Sequence, residues 1–285
     1  MTPLRSRMRV LPGRKKGAQP LQVRRGVYIL PNLFTSLGLF CGFFSVISTI
    51  KEDYRTAAIA ILVALVFDAL DGRIARLTKT SSQFGVEYDS LSDVIAFGVA
   101  PGVLAYRWAL EPWGVWGWLA ASLYVICGAL RLARFNVQVE SADKNNFVGL
   151  PIPAAAAVIA TTILMYFFLG GEGATNKHMT LLLLIYALAG LMVSNIPYYS
   201  FKDVHLYKRQ PFWTLLLSIV AIQLTIAEPQ IMLLSVFSSY AASGPIRSLI
   251  CFVRTGKFSH KIAPVAVVET PYPRRSLDTD EESSL

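Results

Sequence analysis

Leu181-Leu-Leu-Leu-Ile-Tyr-Ala-Leu-Ala-Gly-Leu191 contains no charge and is apolar on every face. A helix at the surface of a soluble protein keeps a polar side, so a run of this kind belongs in a bilayer. The period-two alternation of a membrane barrel strand is missing, and only a helix then satisfies its own backbone groups in lipid. Similar runs recur along the 285 residues, which are 54% hydrophobic and 16% charged, with mean hydropathy +0.48. That composition is too apolar for an ordinary soluble domain and excludes disordered, collagen-like and disulfide-scaffold classes. At about 20 residues per crossing, the apolar runs and their polar breaks predict spans near 28–50, 54–77, 88–108, 114–135, 151–170, 178–198, 211–228 and 230–253. The expected fold is an all-α polytopic membrane bundle of about eight helices.

Charge gives an independent test of this threading. Residues 1–27 carry eight Lys/Arg and no acid, which places them in the cytoplasm by the positive-inside rule. With eight spans, 23 of the 27 basic residues then fall on the cytoplasmic side, leaving Lys51, Arg55, Arg107 and Lys177 opposite. Both termini are expected in the cytoplasm. The run from Val27 to Ile50 is too long for a secretory h-region and reads as a retained anchor. Three regions follow: a basic segment 1–27, a transmembrane unit 28–255, and a polar, proline-containing tail 256–285 that reads as disordered. The +9 charge is explained by topology and by anionic lipid of the bilayer, not by nucleic acid. Cys41, Cys127 and Cys251 sit in apolar runs without metal-knuckle spacing, and His178, His205 and His260 are isolated.

Of the 18 acidic residues, only Asp68, Asp71, Asp89 and Asp93 fall inside spans away from their extreme ends. A carboxylate at a helix centre costs about 2.5–3.5 kcal/mol on insertion scales, so four of them call for a cation or a hydrated cavity. Asp68 and Asp71 are spaced i,i+3 and Asp89 and Asp93 i,i+4, so each pair occupies one helical face. Two antiparallel helices joined by a short loop around 78–86 would bring the pairs together as an all-oxygen site suited to Mg²⁺ or Mn²⁺, with room for two ions. Ion pairing with Arg73 and Arg76 is one alternative, and an ion-transport pathway is another. Gly72 and Ala75 leave the same side of span two without bulk, Arg76 is placed to meet phosphate oxygens, and Thr80, Ser81, Ser82 and Gly85 offer small or hydroxyl groups between the pairs. That combination suits a phosphate-bearing ligand better than a transported ion.

Asp68-Ala-Leu-Asp71-Gly72-Arg-Ile-Ala75-Arg76, eight residues, Gly85, three residues, Asp89, three residues and Asp93 together resemble the signature of the CDP-alcohol phosphatidyltransferase family, with all eight fixed positions in agreement. The resemblance extends over roughly residues 27 to 200. It includes Leu30-Pro-Asn-Leu-Phe-Thr35, the stretch from Tyr88 to Pro101, Gly128-Ala-Leu-Arg-Leu-Ala-Arg-Phe-Asn136 and Phe147-Val-Gly-Leu-Pro-Ile-Pro153, which look like bacterial members with serine as acceptor.

The resemblance implies a six-helix core and transfer of a phosphatidyl group from CDP-diacylglycerol to L-serine with release of CMP, in a homodimer of the bacterial cytoplasmic membrane. Glycerol 3-phosphate, an inositol phosphate or choline are the rival acceptors. By the family pattern Asp68 and Asp89 would bridge two divalent ions, Asp71 would hold the first, and Asp93 would hold the second and act as general base. Asn32, Gly72, Arg76, Ser82 and Gly85 would cradle the CDP-lipid. Arg131 and Arg134, i,i+3 at the end of span four, are candidates to hold the acceptor's carboxylate by forked hydrogen bonds, with Asn136 beside them.

Overall fold

The computed structural model describes residues 29–78, 82–140, 147–174, 179–198, 216, 219, 222–224 and 226–255. The basic segment 1–27 and the tail 256–285 lie outside the described residues. The described chain is helical apart from one two-residue antiparallel pairing of Phe147–Val148 with Pro197–Tyr198.

Helix α1 (Ile29–Ile50) and α2 (Tyr54–Thr78) form a tight antiparallel hairpin, turned at Lys51–Asp53 with Glu52 at φ 63°. The next crossing runs unbroken from Gln83 to Trp113. It comprises α3 (Gln83–Asp93), a wide π turn at Val94–Val99, α4 (Ala100–Ala105), a second π turn at Tyr106–Leu110 and a closing 3₁₀ turn at Glu111–Trp113. Then follow α5 (Val115–Glu140), α6 (Ile152–Phe168), α7 (Met179–Val193) and α8 (Pro229–Thr255). Helical positions at 216, 219, 222–224 and 226–227 fall in the segment expected for span seven. Among the described residues four helical stretches, Leu30–Ile50, Gln83–Trp113, Val115–Val137 and Pro229–Val253, are long and apolar enough to cross a bilayer, and α6 and α7 are shorter apolar helices. Phe40, Phe43, Ile126, Leu130, Leu183 and Val253 project outward, as lipid-facing side chains do. The protein is a multi-pass membrane protein.

Span three starts earlier than its sequence predicted. Ser82 caps α3, accepting from the Gly85 N–H at 3.0 Å, so Gly85 belongs to the first helical turn and not to a loop. Thr80 and Ser81 lie outside the described residues.

Small residues set how closely the helices approach. A Cβ on Gly42 would fall 2.6 Å from the Ala96 Cα, so α1 meets the first π turn backbone to backbone. The Gly38–Gly42 pair therefore serves packing within the protomer. Gly128 plays the same part between α5 and Ile152 of α6. Pro151 immediately precedes α6 and Pro153 lies in its first turn, a helix-entry arrangement.

Helix α8 is docked by a specific contact. Pro245 lacks the N–H that would bond the Ala241 carbonyl four residues earlier. The Tyr198 hydroxyl donates to that carbonyl at 3.0 Å instead. Its ring lies against Gly244, where a Cβ would come within 2.4 Å of it. Phe237, Tyr240, Ala241 and Gly244, spaced i, i+3, i+4 and i+7, form the protein-facing stripe of α8.

Candidate active site

Asp68 and Asp71 lie in the second half of α2, and Asp89 and Asp93 in the second half of α3. One carboxylate oxygen from each of Asp68, Asp71 and Asp89 lies within 4.8 Å of the others. Asp93 lies one turn beyond Asp89 on the same face of α3 and interacts with Asp68. The i,i+3 and i,i+4 spacings put each pair on one helical face, and Asp68, Asp71 and Asp89 converge.

Helix α1 holds the pairs in register. The Thr35 hydroxyl donates to Asp71 Oδ2 at 2.9 Å and lies 3.2 Å from its own helix's Pro31 carbonyl. Ser92, between Asp89 and Asp93, donates to the Thr35 carbonyl at 3.2 Å. The Ser36 and Tyr88 hydroxyls are 2.9 Å apart. Thr35, Ser36, Tyr88 and Ser92 escaped the sequence reading; the only signal was the cluster of hydroxyls in an otherwise apolar α1, and hydroxyls are common in membrane helices.

Beside the acids lies an open cleft of about 440 Å³, counting the space at its mouth. Its walls are Pro31, Asn32 and Thr35 from α1, Asp71, Gly72 and Ala75 from α2, and Ser82, Gly85, Val86 and Asp89 from the start of α3. Four of the five residues assigned to the CDP-lipid therefore line one cleft. Gly72 has nothing within 4 Å of the position its Cβ would take, so the cleft reaches the backbone there. Gly85 is tighter: a Cβ would stand 3.2 Å from Ser82 Oγ and 3.3 Å from Asn32 Oδ1. Because Ser82 Oγ accepts from Gly85, its own O–H stays available to donate into the cleft. Arg76, the fifth, is exposed beside the cleft, with Nε donating to the Gly72 carbonyl at 2.7 Å. It satisfies a carbonyl in the last turns of α2, a common role for arginine near a helix C-terminus.

The three α5 candidates separate. Arg131 is only 9% exposed, and its guanidinium lies 5.3 Å over the Phe135 ring. Its Nε is buried without a hydrogen-bond partner. Arg134 is half-buried on the next turn. Asn136 donates to Ser90 Oγ at 2.8 Å, which ties α5 to α3.

The donor set is all oxygen and converges on one point. Ion pairs among the described residues join Arg107 to Glu52 and Glu111, and none joins Arg73 or Arg76 to the aspartates. Three carboxylates so close repel unless a cation lies between them, and an all-carboxylate set suits a hard divalent ion. The cluster fits such an ion.

A family model described as CDP-alcohol phosphatidyltransferase matches residues 28–193, which span α1 to α7. The chain is 41% identical over 233 residues to the CDP-diacylglycerol–serine O-phosphatidyltransferase of Helicobacter pylori, covering 80% of this chain and 94% of that protein. It is 34% identical over 207 residues to the Mycobacterium tuberculosis protein of the same name, covering 70% and 71%. An archaetidylserine synthase of Methanothermobacter thermautotrophicus is 37% identical over 171 residues, covering 59% of this chain and 69% of that one. Matched across its six-helix core, with the carboxylates of its signature gathered at one cleft, the chain belongs to the CDP-alcohol phosphatidyltransferase family.

Proposed function

We propose that the protein transfers the phosphatidyl group of CDP-diacylglycerol to the hydroxyl of L-serine, forming phosphatidylserine and releasing CMP. The observation that carries this reading is the convergence of Asp68, Asp71 and Asp89 beside a cleft walled by Asn32, Gly72, Ser82 and Gly85, with Asp93 one helical turn beyond Asp89. The names borne by the relatives at 41% and 34% identity support serine as acceptor.

Asp68, Asp71, Asp89 and Asp93 would hold divalent cation, Mg²⁺ or Mn²⁺, as two ions by the family pattern. Bound there, the metal supplies charge neutralisation for the pyrophosphate and for the attacking and leaving oxygens. Gly72 and Gly85 let the diphosphate approach the backbone, and the Ser82 and Asn32 side chains offer it hydrogen bonds. Arg76, free to swing from the Gly72 carbonyl, closes over it. The serine oxygen forms the new bond to phosphorus as the bond to the CMP oxygen breaks, and CMP leaves with that electron pair. The serine hydroxyl is a weak nucleophile at neutral pH, so its proton passes to the Asp93 carboxylate as the new bond forms.

Arg131 anchors the acceptor, with Arg134 and Asn136 nearby. A buried N–H without an acceptor costs about 1–3 kcal/mol, and the serine carboxylate removes that cost by accepting from Arg131 Nε. A phosphate-bearing acceptor would call for a larger group of cations, whereas among the described residues of α5 the buried cation is Arg131. The enzyme works as a homodimer in the bacterial cytoplasmic membrane, with cleft and both termini on the cytoplasmic side, as the distribution of its basic residues favours.

The direct test is CMP release by purified protein given CDP-diacylglycerol and Mn²⁺ or Mg²⁺, with serine, glycerol 3-phosphate, inositol phosphate and choline supplied separately. Serine-dependent, metal-dependent release is expected. Release with another acceptor overturns the serine assignment, and no metal-dependent release with any acceptor overturns the transferase reading.

A further inference from the structure

Helix α5 is tied to the third crossing by two side-chain hydrogen bonds set about 18 Å apart along its axis. The inner one runs from the buried Tyr124 hydroxyl to the Phe97 carbonyl in the first π turn, at 3.0 Å. The outer one runs from Asn136 Nδ2 to Ser90 Oγ, at 2.8 Å. The direction of the outer bond is forced. The single hydroxyl proton of Ser90 goes to the Val86 carbonyl of its own helix at 2.9 Å, so Ser90 Oγ has only lone pairs left for Asn136. The two ties bracket the acceptor side of the site. On the third crossing Asp93 lies between Ser90 and Phe97, and on α5 Arg131 lies between Tyr124 and Asn136. Tyr124 and Arg131, spaced i,i+7 and both buried, share the face of α5 turned to the third crossing. Ser90 follows Asp89 directly and shares a face of α3 with Asp93 at i,i+3.

We propose that Asn136 and Ser90 are positioning residues whose hydrogen bond sets the spacing between the Arg131 turn of α5 and the Asp93 turn of α3. An acceptor held by the first of these turns must bring its hydroxyl to the second, so the distance between them decides how well it is placed. The inner tie is more than three turns away from Asn136 and cannot fix that distance at the outer end. Asn136 therefore acts on the acceptor through the spacing of two helices and not by touching it. The inference rests on the reading of Arg131 as acceptor anchor and Asp93 as base.

The test uses the full-length protein in detergent, with CMP release measured at saturating Mn²⁺ while L-serine and CDP-diacylglycerol are varied separately. Asn136→Ala and Ser90→Ala are each expected to raise the KM for L-serine about three- to tenfold, with the KM for CDP-diacylglycerol changed by less than about twofold. The double variant is expected to be no worse than the more severe single one by more than about twofold, because two partners in one bond are not additive. Exchanging the pair, Ser90→Asn with Asn136→Ser, rebuilds the bond with its donor on α3 and is expected to recover most of the loss. A rise in Asn136→Ala with none in Ser90→Ala makes Asn136 a direct acceptor contact and overturns the proposal. Equal rises for both substrates, multiplicative effects in the double variant, or an exchanged pair as impaired as the double variant overturn it as well. Failure of both alanine variants to fold assigns the bond to stability and has the same consequence. If Arg131→Lys leaves the KM for L-serine unmoved, the acceptor-anchor reading fails; if Arg131→Lys raises it and neither alanine variant does, that reading stands and this one falls.

Discussion

Thr35 on α1 and Asp71 on α2 are joined by a 2.9 Å hydrogen bond in which the hydroxyl donates to the carboxylate. Asp71 is almost fully buried, so this donor aims the oxygen that the other two acids must meet. Removing a partner of this kind from a metal-binding group typically costs about 10–100-fold in metal affinity. Thr35→Val should raise the Mn²⁺ concentration for half-maximal CMP release by that factor, and Thr35→Ser should restore it. A metal requirement unchanged in Thr35→Val would show that Asp71 needs no such support.

Gly72→Ala separates folding from binding. The added methyl meets nothing within 4 Å, and alanine in a helix interior is favoured over glycine by about 0.8–1 kcal/mol. Thermal stability in detergent should hold or rise, while the KM for CDP-diacylglycerol rises about tenfold or more if the diphosphate passes over that backbone. Unaltered CDP-lipid kinetics would move the ligand elsewhere.

Asp93→Asn keeps the shape and removes the base. Loss of a general base costs typically about 10²–10⁴ in rate, so turnover should fall by that range while CDP-diacylglycerol binding, followed by equilibrium titration, persists. Near-normal turnover would take Asp93 out of that role.

Tyr198→Phe leaves the Ala241 carbonyl without its donor, a loss of about 1–3 kcal/mol for a buried group. A lower unfolding temperature is expected. Pro245→Ala restores a helical N–H to the same carbonyl, so adding it to Tyr198→Phe should recover much of the loss. If the second substitution deepens the defect, the carbonyl is not what Tyr198 serves.

Much of this molecule was legible before its structure. Acidic residues in apolar helices are so costly that Asp68, Asp71, Asp89 and Asp93 marked the site by position, and their spacing marked the shared face. The clamp from Thr35 was hidden because a hydroxyl in a membrane helix usually bonds its own backbone, as Ser36 does to the Asn32 carbonyl at 2.8 Å. The start of α3 was misplaced because a glycine and serines between two charged pairs resemble a loop, when Ser82 is a helix cap. Arg131 and Arg134, alike in spacing, differ in burial because Arg131 falls on the face of α5 turned into the protein, where Phe135 of the next turn covers it.

The two π turns in the third crossing give it an unusual mechanical property. Each adds about one residue to a turn, shifting the phase of everything beyond it by about 100°. The carboxylate turn ending at Asp93 can thus address α1 and α2, while Trp108, Ala109 and Leu110 further along the same rod address the core. A one-residue deletion within Val94–Val99 would rewind that turn to an ordinary helix and rotate the acids relative to the distal anchor, although every side chain of the site would still be present. The reading frame of the helix, not only its composition, is therefore part of what the site requires.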